Sequence, residues 1–274
     1  MNFRESYRLK NIIRRYLRTS YEIVINFGIN PIQFMQAVRS IPRFLRDYFV
    51  YARASKGEQR FPLKMWEVRP RLHNFKEEAG GVRDHYFWQD LWAARKIYER
   101  RPSHHVDIGS RIDGFIAHLL VFMPVTVVDI RPLSSNVPGL TFVQDDGTTL
   151  KSISDNSIES LSSLHAVEHF GLGRYGDPVD PDACFKAMSA LARVLKPGGR
   201  LYFSVPIGRE RLEFNAQRVF SPRTIWWVFK KKLGLEIVSF SAVDDDGNFH
   251  GKANPEDFIH ACYSLGLWEF TKRK

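Results

Sequence analysis

His165, Glu168 and His169 stand in the order H-x-x-E-H. On a helix that spacing sets two imidazoles one turn apart on one face, and in some zinc peptidases it holds a metal. Here the segment reads as the exit from a strand, and no third ligand accompanies it, so we expect no metal. A second set of residues carries a different chemistry. Asp107, Asp129 and the pair Asp145/Asp146 each close a short apolar run, in HVDIGS, VVDIR and FVQDD, and Asp129 follows Asp107 by 22 residues. A carboxylate closing a second strand suits a pair of ribose hydroxyls, which donate to it at a fixed reach from the first turn. Asp145 or Asp146 could accept from an adenine amino group in the same way.

For these residues to meet, the apolar runs must be strands of one sheet. From about residue 85 the pattern is regular: a helix in QDLWAARKIYERR, a strand around HHVDIGS, a helix in IDGFIAHLLVF and a strand in VTVVDIR. Strands in LTFVQDD, IESLSSLHAV and RLYFSVP follow, with a helix in DPDACFKAMSALARVLK stopped by Pro197-Gly198-Gly199. After a helix opening at Ser221-Pro222, LEIVSFSAV and CYSLGLWEFTK read as a final antiparallel pair. The alternation predicts an α/β fold with a doubly wound, mainly parallel seven-stranded sheet of Rossmann type. Ligands of such sheets bind at the carboxyl ends of the strands, where the acids lie.

Residues 1–84 read differently. Of the net charge of +10, they supply 17 Lys and Arg against 8 Asp and Glu, while residues 85–274 are nearly balanced at 23 against 22. We expect residues 1–84 to be a basic, mainly helical extension and residues 85–274 the main domain. Pro31, Pro42, Pro62 and Pro70 suggest short helices joined by turns, with a linker in RDYFVYARASKGEQRFP. In residues 1–20 arginines interleave with Phe3, Tyr7, Ile12 and Leu17, a pattern that suits peripheral contact with an anionic membrane, simple packing or nucleic acid. No transmembrane helix or secretory signal is expected, and two cysteines, Cys184 and Cys262, suit a reducing cytosol.

HVDIGS, VVDIR, the segment from FVQDD to HAVEH, LARVLKPGGRLYFSVP and RVFSPRTI together resemble the ordered motifs of class I S-adenosylmethionine (SAM)-dependent methyltransferases. The resemblance covers about residues 85–270 and is closest to an uncharacterised bacterial methyltransferase-like group linked to surface-polysaccharide biosynthesis. It implies SAM as cofactor, with Asp107, Gly109 and Ser110 in the cofactor loop, Asp129 at the ribose and Asp145 or Asp146 at the adenine. His85, with Tyr86 and Gln89, would contact the cofactor from a covering helix. The loop after Gly109 departs from the pattern: Arg111 and Asp113 replace further glycines and Gly114 comes one position late. Asp113 could receive the methionine ammonium, and the retained acids favour a working site over a decayed one. An NAD-dependent oxidoreductase is disfavoured because G-x-G-x-x-G is absent.

The resemblance also gives H-x-x-E-H a metal-free role. A hydroxyl attacking a sulfonium methyl must lose its proton, so His169 or His165 could serve as general base, with Glu168 beside them and His169 the better placed. Either imidazole could instead only bond the loop backbone. Arg209, Arg211, Asn215 and Arg218 fall on the acceptor side. The expected activity is O-methylation of a glycan or glycan precursor, in the cytoplasm and peripherally at the inner face of the membrane. The alternatives are an inactive SAM-fold partner of a glycan-assembly complex and an RNA methyltransferase. Nucleic acid is the disfavoured partner, since no Asn-Pro-Pro-aromatic loop or strand-four cysteine is present.

Overall fold

The computed structural model describes residues 19–273, apart from residues 56, 58–60, 62, 74–79 and 135. The expected basic arm falls outside the described residues except for residues 19 and 20, as does Pro62. The chain divides into two compact units, Met1–Gly80 and Gly81–Lys274.

In the first unit residues 19–26 are helical (α1), and a second helix, α2, spans Pro31–Ala54. Asn30 caps α2 by accepting from the Gln33 amide, and Pro31 has no amide to leave unpaired. Where the prolines predicted short helices and a linker from residue 46, one helix of 24 residues runs straight through Pro42. A proline inside a helix costs about 3 kcal/mol through its missing N–H and its clash with the preceding turn. Uninterrupted turns stand on both sides of Pro42, and no glycine falls between Gly28 and Gly57, so the element carries across it.

The second unit is built on an eight-stranded sheet in the order β3-β2-β1-β4-β5-β10-β8-β9. Its strands are β1 (His105–Ile108), β2 (Val125–Asp129), β3 (Leu140–Gln144), β4 (Ile158–Leu164), β5 (Leu195–Ile207), β8 (Leu235–Val243), β9 (Phe249–His250) and β10 (Ser264–Lys272). A separate ribbon pairs β6 (Arg211–Glu213) with β7 (Gln217–Val219). Strands β1 to β5 pair in parallel, and β10 runs antiparallel to both β5 and β8. This is the doubly wound, Rossmann-like sheet expected; the eighth strand is the two-residue β9 on the edge of β8.

Helices α3 (His85–Arg100), α4 (Ala117–Leu120), α5 (Ala183–Val194) and α6 (Pro222–Trp226) surround the sheet. Side chains alternate along β5, so Leu201, Phe203 and Val205 join Leu191 and Val194 of α5 in one core, while Tyr202 meets Trp92 and Ile97 of α3 in the other. The helix expected in IDGFIAHLLVF is shorter than the pattern suggests: a π-helical turn at Ile112–Ile116 leads into α4.

His105 sits wholly buried in β1 at the head of a polar chain beneath the site. The Ser162 hydroxyl donates its one hydrogen to Asp107 Oδ2. His105 Nε2, 2.8 Å from Ser162 Oγ, is therefore the donor there, and Nδ1 accepts from Ser160 Oγ at 2.8 Å. Burial, assisted by His104, pushes His105 down to about 3. The unfolded chain takes up this proton near pH 6.5. Stabilisation by the neutral imidazole is thus complete above pH 6.5 and lost as pH falls, at about 1.4 kcal/mol per pH unit. In His105→Gln the slope of unfolding free energy against pH between 6 and 4 should be shallower by about that amount. Urea unfolding reads it; equal slopes would show an imidazole already charged in the fold.

Candidate functional site

The carboxyl ends of β1 to β4 bound a cavity of about 360 Å³. Gly109 follows β1, Asp129 closes β2, Asp146 follows β3 and His165 follows β4, all in its wall. Phe170, Arg174 and Tyr175 of the glycine-rich segment after β4 close the other side. A second cavity, of about 620 Å³, lies beside it, lined by His85, Gln217, Asp244, Asp246 and Tyr263 among others. Tyr86, His165, His169, Arg174 and Tyr175 line both.

The loop after β1 explains its own sequence. Gly109 has φ +76°, and a Cβ there would stand 3.1 Å from the Ala166 side chain, so only glycine lets the chain turn and approach this closely. Asp107 does not reach the cavity, contrary to the cofactor-binding role expected for it. It is fully buried and accepts from the Ser110 amide at 2.9 Å, from Ser110 Oγ at 2.7 Å and from Ser162. Burial pushes its carboxyl up to about 6 despite these donors. Asp107 and Ser110 hold the turn rather than a ligand. Asp113 is also displaced from its expected role: its side chain is 69% exposed and bonds the Arg111 guanidinium. Gly114 admits the Asp90 carboxylate of α3, which a side chain at 114 would strike. The altered glycine pattern therefore pairs its two charged residues with each other, with Arg111 at the cavity wall over the Tyr86 ring, and keeps glycine where the Asp90 carboxylate comes close.

Of the paired acids after β3, Asp146 faces the cavity, its carboxylate accepting from the Thr148 amide at 2.8 Å. Asp145 turns away to the Ser152 amide and hydroxyl and to the Asp146 amide, which corrects its candidacy as a ligand. Asp129 lines the cavity but is engaged. It accepts from the Arg131 amide at 2.8 Å and from the Arg131 guanidinium at 3.0 and 2.6 Å, and that guanidinium lies 4.5 Å from the Tyr175 ring. The sequence carried Arg131 in VVDIR without marking it, because nothing local says that the cation folds back two residues.

Where the cavities meet, His165 Nδ1 stands 2.5 Å from Glu168 Oε1. Glu168 is fully buried; burial pushes its carboxyl up, but His165 and His169 beside it outweigh that and hold it below the ordinary range. A carboxylate accepts only, so Nδ1 carries a hydrogen toward Glu168, and the buried Nε2 has no partner. His169 Nδ1 is tied to the Ala216 carbonyl at 2.7 Å, and burial lowers its pKa. His165 adopts φ +50°, a conformation that costs a non-glycine residue. Its amide donates to Ser204 O and Oγ, both at 3.1 Å, and Ser204 Oγ donates to Gln89 Oε1 at 2.5 Å. This brace from β5 and α3 overdetermines the loop.

His85 opens onto the second cavity, not the first, which moves it from the cofactor side where it was expected. It stacks on Tyr263 at 5.3 Å and on His165 at 5.7 Å, and burial pushes it down to about 4. Gln89 is likewise buried behind the wall. Arg209, Arg211, Asn215 and Arg218 line neither cavity; Arg218 instead bonds the Phe170 carbonyl at 2.6 Å, pinning the segment after β4. Gln217 and Tyr263, joined at 3.1 Å, were not singled out by sequence, since their meeting spans 46 residues. Among the described residues no three His, Cys, Asp or Glu side chains gather as a metal site.

Comparison with known proteins adds the following. The family described as "Caenorhabditis protein of unknown function, DUF268" matches residues 148–248. No curated protein sequence matches the chain. Among solved structures, the [4+2]-cyclase SpnF is similar over 71% of this chain and 86% of its own, at 14% identity and a TM-score of 0.50. The Burkholderia thailandensis 1,6-didemethyltoxoflavin-N1-methyltransferase, solved with S-adenosylhomocysteine, gives 68% and 79% coverage, 17% identity and a TM-score of 0.48. N-methyltransferase NodS from Bradyrhizobium japonicum, also with S-adenosylhomocysteine, gives 70%, 89%, 13% and 0.48. At 14% identity the likeness to the cyclase speaks to the fold alone.

Proposed function

We propose that the chain is a SAM-dependent methyltransferase that methylates a hydroxyl of a glycan or glycan precursor for the cell surface, working in the cytoplasm. The observation that supports it is the meeting of two cavities at one residue, His165, whose Nδ1 bonds a buried carboxylate and whose Nε2 has no partner. The residues present fit the cofactor: a positive-φ glycine allows close approach, Asp129 would hold the ribose hydroxyls and Asp146 the adenine side. When bound, SAM supplies an electrophilic methyl group. His165 Nε2 takes the proton of the acceptor hydroxyl, and Glu168 fixes the ring and stabilises the imidazolium that results. The second cavity, with Tyr263 and Gln217 in its wall, would receive the acceptor.

The engagement of Asp129 by Arg131 favours a second reading, an inactive partner within a glycan-assembly complex. A fold of this kind also serves the [4+2]-cyclase SpnF, so fold does not fix reaction. Calorimetric titration with SAM, followed by transfer of labelled methyl to cell-surface glycan fractions, separates the readings. Absence of SAM binding overturns the methyltransferase and leaves the inactive partner, as does binding without transfer to any fraction. If the Arg131 guanidinium competes with ribose, Arg131→Ala should tighten SAM binding by no more than about fivefold, the ~0–1 kcal/mol of a half-exposed ion pair. Weaker binding would make Arg131 a ligand of the cofactor instead.

A further inference from the structure

The first unit carries an apolar surface that is exposed among the described residues. Along α2, Phe34, Val38, Ile41, Leu45 and Phe49 recur at helical spacing, and all are exposed, Phe34 to 65% and Phe49 to 59%. Soluble surfaces leave large apolar side chains singly exposed; a continuous stripe of this length marks a contact surface. Arg39, Arg43, Arg46 and Arg53 recur at three-, four- and seven-residue steps, so they too share one side of the helix, bordering the stripe. The single acid of α2, Asp47, pairs with Arg43 and Arg46, and Arg39 and Arg53 have no acidic partner among the described residues.

We propose that α2 lies on an anionic lipid bilayer, with its apolar stripe in the interface and its arginines at the lipid phosphates. Charge complementarity selects this occupant. A protein groove would take the apolar stripe alone, whereas a bank of arginines beside an apolar face matches a surface apolar below and negative at its rim, which arginine reaches by extending its stem. The helix lies on the bilayer and does not cross it, because no helix among the described residues is long and apolar enough to span. The inference is independent of the methyltransferase reading.

The test is co-sedimentation of the full chain with vesicles of phosphatidylcholine, with and without phosphatidylglycerol. The wild-type chain should bind the anionic vesicles and be weakened by salt. The triple substitution Phe34→Ser, Leu45→Ser and Phe49→Ser should weaken binding at least about tenfold, and the pair Arg39→Glu and Arg53→Glu should abolish the preference for anionic lipid. Both sets change exposed side chains, and circular dichroism checks that the fold is retained. Wild-type-like binding by the triple variant would overturn the proposal and leave any binding to residues 1–18. Equal binding to neutral vesicles would overturn it too. Self-association without vesicles that the serines abolish, read by sedimentation velocity, would assign the stripe to a second copy and likewise overturn it.

Discussion

His165→Ala is expected to lower methyl-transfer turnover about 10²–10⁴-fold, the usual contribution of a general base, with SAM affinity little changed. The expectation rests on the partners of the ring: His165 Nδ1 bonds Glu168, and Nε2 is buried without a partner in a side chain that lines both cavities. His169, which the sequence favoured, has Nδ1 tied to the Ala216 carbonyl and serves as wall; His169→Ala should therefore cost less. Glu168→Gln supplies a readout that a packing role would not move. Without the buried carboxylate the imidazole is less basic, so the acid limb of the kcat/KM profile should shift to lower pH. Release of S-adenosylhomocysteine follows all three variants. A large loss in His169→Ala with none in His165→Ala would exchange the two roles.

Asp129→Ala should weaken SAM binding by about 2–3 kcal/mol, roughly 30- to 150-fold, the worth of charge-assisted hydrogen bonds to the ribose. Isothermal titration measures it, and a thermal melt checks the fold. The carboxylate is only partly buried and its other partner, Arg131, is half-exposed, so little stability should be lost with it. Full SAM affinity in a folded Asp129→Ala would remove the cofactor assignment from this cavity.

Much of the second unit was legible because its strands are short apolar runs that end in an acid or a glycine, and the sheet then puts those ends together. Asp129 and Asp146 could be placed this way. Asp107 could not: the sequence shows an acid at the end of β1, but the direction of its side chain is set by Ser162, 55 residues on, and by the His105 chain beneath it. The same holds for Asp145, turned aside by Ser152, and for Asp113, turned outward by Arg111. Which acid meets a ligand is decided by donors that local pattern does not reveal. In the first unit Pro42 misled for the opposite reason: punctuation is local, while the turns on both sides of it carry the helix through.

The two cavities draw their walls from different parts of the chain. The walls of the first come from a continuous middle stretch, residues 86–183, whereas those belonging to the second alone come from Arg83–His85 and from Gln217 to Tyr263. Replacing the stretch from Asp244 to Tyr263 by recombination, together with the cap of α3, would rewrite the chamber facing His85 and Tyr263, while Ala216 and Arg218 went on tying down His169 and Phe170 of the strand-end chamber. Selection could then exchange one recognition surface for another in a single genetic event, with the imidazole between them inherited unchanged.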